Sequence, residues 1–384
     1  MVDLHPSAEE AGLSARAAAI ARSVVLPQAA AADGGAFPEA ALRALAAEGL
    51  MAIKSPRAFG GAGSTQVAYV MALREVATAC ASTAVTMAVT NMTGEMIGLF
   101  GDTDQRERWL RPIAQGQMEA AAFALSEPSA GSDAASLVCK ATRRDDGSYV
   151  LDGQKAWITS GDRAGVVLTM ARTGEPGSGA RGISAFLVDP RAPGFSVLRH
   201  ESKMGLRGSS TVGLSLDGVV VPERDRLGPE GIGFRVAMTA LDGGRCAIGA
   251  QAIGIASAAL QTLVQGLGSR AGVDRAQNLQ QMVDFRIADM ATRLEAAWLL
   301  VLRAAQRKDA NLPMTREAAM AKVFATEAAH FVCQRALELA TAQGLQDDGR
   351  IARALRDVRV SRIYEGTSEV QRIVIARELL ANAS

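Results

Sequence analysis

Apolar residues recur three and four positions apart through residues 7–120, as in AALRALAAEGL (40–50) and VAYVMALREVATA (67–79). That period matches one buried face of an α-helix and predicts a helical N-terminal region. From about 121 to 235 the period shortens to two. SLVCKATRRDDGSYVLDGQKAWITS (136–160), GVVLTMART (165–173), GISAFLVDP (182–190) and TVGLSLDGVVVP (211–222) are alternating runs divided by Gly, Pro and Asp, the pattern of half-buried strands. Asp145-Asp146-Gly147 between two such runs signals a hairpin. No helical stretch is interleaved, so the strands are expected to pair antiparallel, in a barrel or a sandwich. Helical periodicity returns from 236 onward in long segments, among them AIGAQAIGIASAALQTLVQGL (247–267) and MAKVFATEAAHFVCQRALELATA (320–342), which predicts an up-and-down bundle. The expected fold is α+β and multidomain: a helical domain at 1–120, an antiparallel β-barrel domain at 121–235 and a four-helix-bundle domain at 236–384.

Composition narrows the function classes. The length of 384 residues suits two or three domains at about 150 residues each. Hydrophobic residues make up 48% and charged residues 21%, so a sizeable core is available. Lys and Arg total 41 against 40 Asp and Glu, a balance that gives no electrostatic drive toward nucleic acid or a membrane surface. Cys80, Cys139, Cys246 and Cys333 show no CxxC or CxxH spacing, so reduced thiols are expected rather than a disulfide framework or a zinc site. His5, His200 and His330 are equally dispersed and form no metal or Ser/His/Asp constellation. The N-terminal MVDLHPSAEEAGL lacks the basic head and apolar core of a secretory signal. No run of uninterrupted apolar residues has membrane-spanning length. A soluble, cytoplasmic enzyme is the expectation.

Several motifs carry candidate chemistry. FALSEPSAGSD (123–133) supplies small and hydroxyl side chains that let backbone amides, Ser126 and Ser132 approach a polar ligand edge; Pro128, Gly131 and Asp133 also suit a bare turn. Trp157-Ile158-Thr159-Ser160 places a tryptophan in a strand, as core or as a flat surface for an aromatic ligand. Leu241, Asp242 and Arg245 share a helix, as a ligand-facing patch or a solvated face. IYEGTSEVQ (363–371) sets one carboxylate, Glu365, between an aromatic and a glycine; Ser368 and Gln371 have capping-box spacing and predict a helix running through VQRIVIARELL. A lone Glu-Gly-Thr also reads as a plain helix cap. FGGAGS (59–64) lacks the third glycine and the strand of a phosphate loop and reads as a turn.

Together with KMGLRGSST (203–211) and VPERDRLGPEGIGF (221–234), which read as loop architecture, these motifs resemble the acyl-CoA dehydrogenases over essentially the whole chain. The resemblance implies FAD-dependent removal of α and β hydrogens from an acyl-CoA, giving a trans-2-enoyl thioester. It implies that Glu365 is the base, that hydride passes to the flavin, and that an electron-transferring flavoprotein is the electron acceptor. It assigns Leu125, Ser126, Gly131, Ser132, Trp157, Thr159, Arg270, Gln281, Thr367 and Glu369 to the cofactor. Ser132, Leu241, Asp242, Arg245, Tyr364 and Gly366 go to the substrate. Some relatives carry their base at the position of Gly244, where this chain has no side chain. An α-proton beside a thioester is far less acidic than a carboxylic acid, so an ordinary glutamate, with a pKa of about 4.3, is too weak a base. Burial must raise it, against the lowering field of the following helix N-terminus.

The resemblance weakens at two places. Arg-x-x-Phe-Gly becomes Arg270-Ala271-Gly272-Val273-Asp274, and Gln-x-x-Gly-Gly-x-Gly-Tyr becomes 338–345 (ELATAQGL), where only Gly344 is kept. In the family these elements grip the adenosine diphosphate half of an FAD held mainly by a neighbouring subunit. Side chains at Thr341 and Ala342 hinder close approach to a phosphate, and Glu338 adds a repulsive charge. The alternatives are a homotetramer with altered FAD retention, or a heteromer whose unlike partner supplies the grip. A dehydrogenase of carrier-protein thioesters and a subunit with a mainly partnering role are the rival readings.

Overall fold

The computed structural model describes residues 5–175, 177–268, 277–345 and 349–381. The N-terminal region is helical, as its period predicts. α1 (Ala8–Ile20) starts at a capping box in which Ser7 and Glu10 satisfy each other's backbone donors. It runs through one wider turn into α2 (Leu26–Asp33), followed by α3 (Glu39–Ala47), α4 (Gln66–Ala79) and α5 (Ala81–Phe100), then two short turns, α6 (Thr103–Gln105) and α7 (Arg111–Ala114). FGGAGS is a turn, with Gly60 and Gly63 at φ 87 and 59. Just after it, Thr65 Oγ1 accepts from Ala68 N at 3.0 Å and caps α4.

Seven strands follow: β1 (Ala120–Ala124), β2 (Lys140–Arg143), β3 (Tyr149–Thr159), β4 (Ala164–Arg172), β5 (Ile183–Val188), β6 (Phe195–His200) and β7 (Thr211–Val221). The hairpin signalled by Asp145-Asp146-Gly147 joins β2 to β3, with Gly147 at φ 83. The expected all-antiparallel barrel is corrected. The sheet is open, in the order β1-β4-β2-β3-β7-β6 with β5 on β4, and β1 pairs parallel to β4. The β2–β3 hairpin lies between β1 and β4 in the chain and acts as the crossover that a parallel pairing requires.

The C-terminal region packs α8 (Gly233–Gly268), α9 (Gln277–Asp309), α10 (Thr315–Ala342), α11 (Arg350–Val358) and α12 (Ser368–Ala381). α8 is long and apolar enough to cross a membrane by length and composition, contrary to the sequence expectation. Its residues are instead largely buried against α4, α5, α9 and α10, so it is the central core helix. Close approach is built into it: a Cβ at Gly254 would lie 2.7 Å from the Ala77 Cβ of α4.

Contacts across the regions fix their relative placement. The Asp309 carboxylate at the end of α9 accepts from Gln66 N (2.6 Å) and Val67 N (3.0 Å), two donors left open by the start of α4. The KMGLRGSST segment bridges α2 and α11. Leu206 N donates to Asp357 Oδ1 at 2.6 Å, and a Cβ at Gly208 would meet Ala32 Cβ at 2.7 Å.

Candidate active site

Glu365 sits in a turn between α11 and α12 with its backbone in the left-handed region, φ 52, followed by Gly366 at φ 90. A non-glycine residue there is strained and persists only where its surroundings hold it. α12 begins at Ser368 as expected, but Thr367 is its cap: Thr367 Oγ1 accepts from Val370 N at 3.3 Å. The predicted Ser368–Gln371 box is therefore off by one residue. Gln371 turns back instead and donates to the Glu365 carbonyl (3.2 Å) and the Gly366 carbonyl (3.0 Å). Tyr364, the other side of the turn, donates from its hydroxyl to Gln251 Oε1 of α8 at 2.6 Å.

The carboxylate faces α8. A Cβ at Gly244 would lie 2.8 Å from Glu365 Cδ and 3.1 Å from Oε1, so the missing side chain is the space the carboxylate occupies. Glu365 Oε2 is buried and has no hydrogen-bond partner, the arrangement that most penalises a carboxylate. Burial pushes the Glu365 pKa up to about 7, opposed by the positive charges of Lys322, Arg245 and Lys54. Desolvation thus prevails over the three facing cations.

Two further features of α8 surround it. Arg245 Nη1 donates to Asp242 Oδ1 at 2.6 Å, and Asp242 Oδ2 accepts from Thr315 Oγ1 at 2.8 Å, so the pair is a braced, largely buried unit rather than a solvated face. Arg245 Nε is left without a partner. One residue before Gly244, a Cβ at Gly243 would meet Lys308 Nζ at 2.5 Å and Lys54 Nζ at 3.5 Å. Both lysines pair with buried Glu95, Lys308 at 2.7 Å, and Lys54 also lies 4.8 Å from the Tyr69 ring centre. Desolvation draws Lys54 down to about 8.

The β region contributes a second surface. β3 and β7 lose register between Lys155 and Ile158, and Trp157 occupies the resulting bulge at φ 61. The ring is thrown outward and is 61% exposed, which excludes a core role for it. Thr159 follows, and Ser126 is tied to the strand just before Trp157, where Ala156 N donates to the Ser126 carbonyl at 2.9 Å. The 125–133 loop is held by a fully buried ion pair: Lys155 Nζ lies 2.7 Å from Glu127 Oε1, while Glu127 also accepts from Val138 N and Cys139 N at 2.7 and 3.0 Å. Leu125 is buried in the same apolar cluster against which Leu241 of α8 packs, so one core underlies both surfaces. Gly131 and Ser132 are exposed at the loop tip.

The remaining expected residues are not gathered with these. Gln281 is exposed on α9, and Glu369 is exposed at the start of α12. Arg270, with Val273 and Asp274, lies outside the described residues. Thr341 and Ala342 form the last turn of α10, closed by Gly344 at φ 58. Glu338 is not a bare charge there, since Arg335 Nη1 binds its carboxylate at 2.5 Å. Lys322, Lys54, Glu95 and the Glu127–Lys155 pair escaped the sequence reading. The only signal they left was a charged residue inside an otherwise apolar stretch, as in MAKVFA.

Sequence profiles of three domains match this chain: acyl-CoA dehydrogenase, N-terminal domain over 7–117, middle domain over 122–219 and C-terminal domain over 231–380. The chain belongs to the acyl-CoA dehydrogenase family. It is 41% identical over 346 residues to the mitochondrial short-chain specific acyl-CoA dehydrogenase of Bos taurus, covering 90% of this chain and 83% of that one. The structure of butyryl-CoA dehydrogenase from Megasphaera elsdenii superposes with a TM-score of 0.94 at 34% identity, covering 98% and 100% of the two chains. A structure described for the electron transferring flavoprotein of Acidaminococcus fermentans contains a chain with TM-score 0.94 and 34% identity, covering 98% of this chain and 99% of that one.

Proposed function

We propose that this protein is an FAD-dependent dehydrogenase of acyl-CoA thioesters, forming the trans-2-enoyl-CoA with Glu365 as the base. The observation that carries the reading is the buried, unpartnered Oε2 of Glu365 beside Gly244. A carboxylate raised to about 7 matches the working pH of a general base. Glu365 takes the α-proton, while its backbone N–H and the strained turn fix the thioester carbonyl. Leu241, Asp242, Arg245, Tyr364 and Gly366 line the substrate path, with Ser132 at the loop tip. FAD fits the second surface: an exposed tryptophan on a strained bulge, flanked by Thr159, Ser126, Leu125 and Gly131, suits a flat aromatic ring with a polar edge. When bound there it supplies the hydride acceptor.

The finer proposals follow from family membership and surface composition. An electron-transferring flavoprotein serves as acceptor, in line with the similar structure described for such a protein. Large apolar side chains left open on the C-terminal helices, Phe285 at 68% and Leu380 at 73% exposed, support a homotetramer or heterotetramer. The proposed compartment is the cytoplasm. Anaerobic bleaching of the bound flavin by a panel of acyl-CoA esters tests the function, and Glu365→Gln tests the base. The variant is expected to keep FAD and lose more than nine-tenths of turnover, a barrier change above ~1.4 kcal/mol. Retention of a tenth or more removes Glu365 from the role. Oxidation of carrier-protein thioesters in preference to every CoA ester would select the rival substrate class.

A further inference from the structure

A buried charge that the chemistry above does not use grips the turn carrying Glu365. Lys322 lies in α10, wholly out of solvent, and its Nζ donates to the Gly366 carbonyl at 2.7 Å. The same carbonyl accepts from Gln371 Nε2, which also holds the Glu365 carbonyl. Two successive carbonyls of a strained turn are therefore held from α10 and α12. One side chain does this with a neutral amide, the other with an ammonium.

The other charges facing Glu365 are already engaged. From α8, Arg245 pairs with Asp242. From the loop ahead of α4, Lys54 pairs with Glu95 and donates to Gln66 Oε1, and Lys308 of α9 shares Glu95. Burial pushes the phenols of Tyr69 on α4 and Tyr364 up, so both stay neutral. Glu327 of α10 pairs with Arg372, and Glu369 of α12 is exposed. Among the described residues no carboxylate stands within ion-pair distance of Lys322. Desolvation draws it down to about 8, and the charge of Glu365 is the leading influence that opposes this. A single hydrogen bond to a neutral carbonyl does not offset the burial of an ammonium.

We propose that Lys322 is the positioning residue of the base. It holds the 364–367 turn through the Gly366 carbonyl and presents the counter-charge that lets the Glu365 carboxylate exist ionised in a dry site. The inference rests on Glu365 being the base, and the two ideas fail separately.

Lys322→Met removes both charge and bond; Lys322→Gln removes the charge and keeps an amide donor. Each holoprotein is assayed by flavin bleaching across pH, with FAD content and thermal midpoint recorded alongside. The wild-type inflection near 7 is expected to rise by roughly one to two units in both variants. The rate at pH 7 then falls roughly fivefold to fiftyfold and recovers in alkali, with KM changed less than kcat. Lower FAD content or thermal midpoint with an unmoved inflection would mean a structural role only and overturns the proposal. Should neither variant fold, potentiometric difference titration of wild type against Glu365→Gln decides. Deleting Glu365 must remove a group near 7 and lower a second one from about 8. A difference confined to one group overturns the proposal. A wild type that no acyl-CoA bleaches removes the functional reading instead, and the titration still judges the pair.

Discussion

Glu365 couples catalysis to stability through one buried oxygen. Its pKa is raised from 4.5 to about 7 in the folded chain, so between those values the folded state binds more protons than the unfolded state. Stability therefore declines as pH rises across that window, and the full cost is present above about 7. Glu365→Gln should leave stability near pH 4 almost unchanged and raise it at pH 8 by on the order of 1–3 kcal/mol, read by denaturant unfolding at both values. An equal effect at the two pH values would show that the carboxylate is not desolvated. Gly244 tests the same contact from the other side. Gly244→Ala gains up to about 1 kcal/mol of helix propensity, yet its Cβ would stand 2.8 Å from Glu365 Cδ. Turnover is expected to fall at least ~10-fold, ~1.4 kcal/mol in the barrier, while the thermal midpoint changes little. Unimpaired turnover would show that the carboxylate acts from elsewhere.

At the scale of elements, the β3 bulge and the 125–133 loop form one construction. Lys155 and Glu127 pair out of solvent at the root of the loop, and Trp157 is displaced outward two residues beyond Lys155. Lys155→Met leaves the Glu127 carboxylate with backbone donors but no counter-charge, a defect worth about 3 kcal/mol. The expected result is that much loss in unfolding free energy together with weaker FAD retention, measured by equilibrium unfolding and FAD titration. Adding Glu127→Gln should recover part of the stability, since the uncompensated charge is then gone. A single variant as stable as wild type would show that the pair does not organise the loop.

Assembly and cofactor retention belong to the whole molecule. Thr341 and Ala342 end α10 where relatives are expected to carry a glycine pair, and Arg335 already neutralises Glu338. If that segment grips the FAD diphosphate of a neighbouring copy, Thr341→Gly with Ala342→Gly should tighten FAD in a homomer. The segment is helical, so the glycines cost about 1 kcal/mol each. In a heteromer, the affinity at this chain's own flavin site should stay unchanged. Native mass measurement followed by FAD titration of both forms separates the cases. Tight, stoichiometric FAD in an unmodified homotetramer would place the grip on other residues.

Local pattern was enough for much of this. The periods of three to four and of two set the helical, β and helical order, because each reports which face of an element is buried. The glycine turns, the β2–β3 hairpin and the start of α12 were legible for the same reason, and Glu365 stood out through its motif. Contacts between distant segments were not legible. The open sheet with β1 parallel to β4 depends on which edges meet, and a period of two is the same for either direction. The exposure of Trp157 depends on a register slip against β7 that β3 does not encode by itself. That α8 is a continuous helix of membrane-spanning length, and that α4, α9 and α10 cover it, became visible only once the helices were packed. The counter-charges around Glu365 come from α8, α10 and the loop before α4, and packing alone brings those elements to one point. Sequence thus determined which element each residue joins, and the tertiary structure decided which charges are desolvated together, because desolvation is a property of the assembled interior.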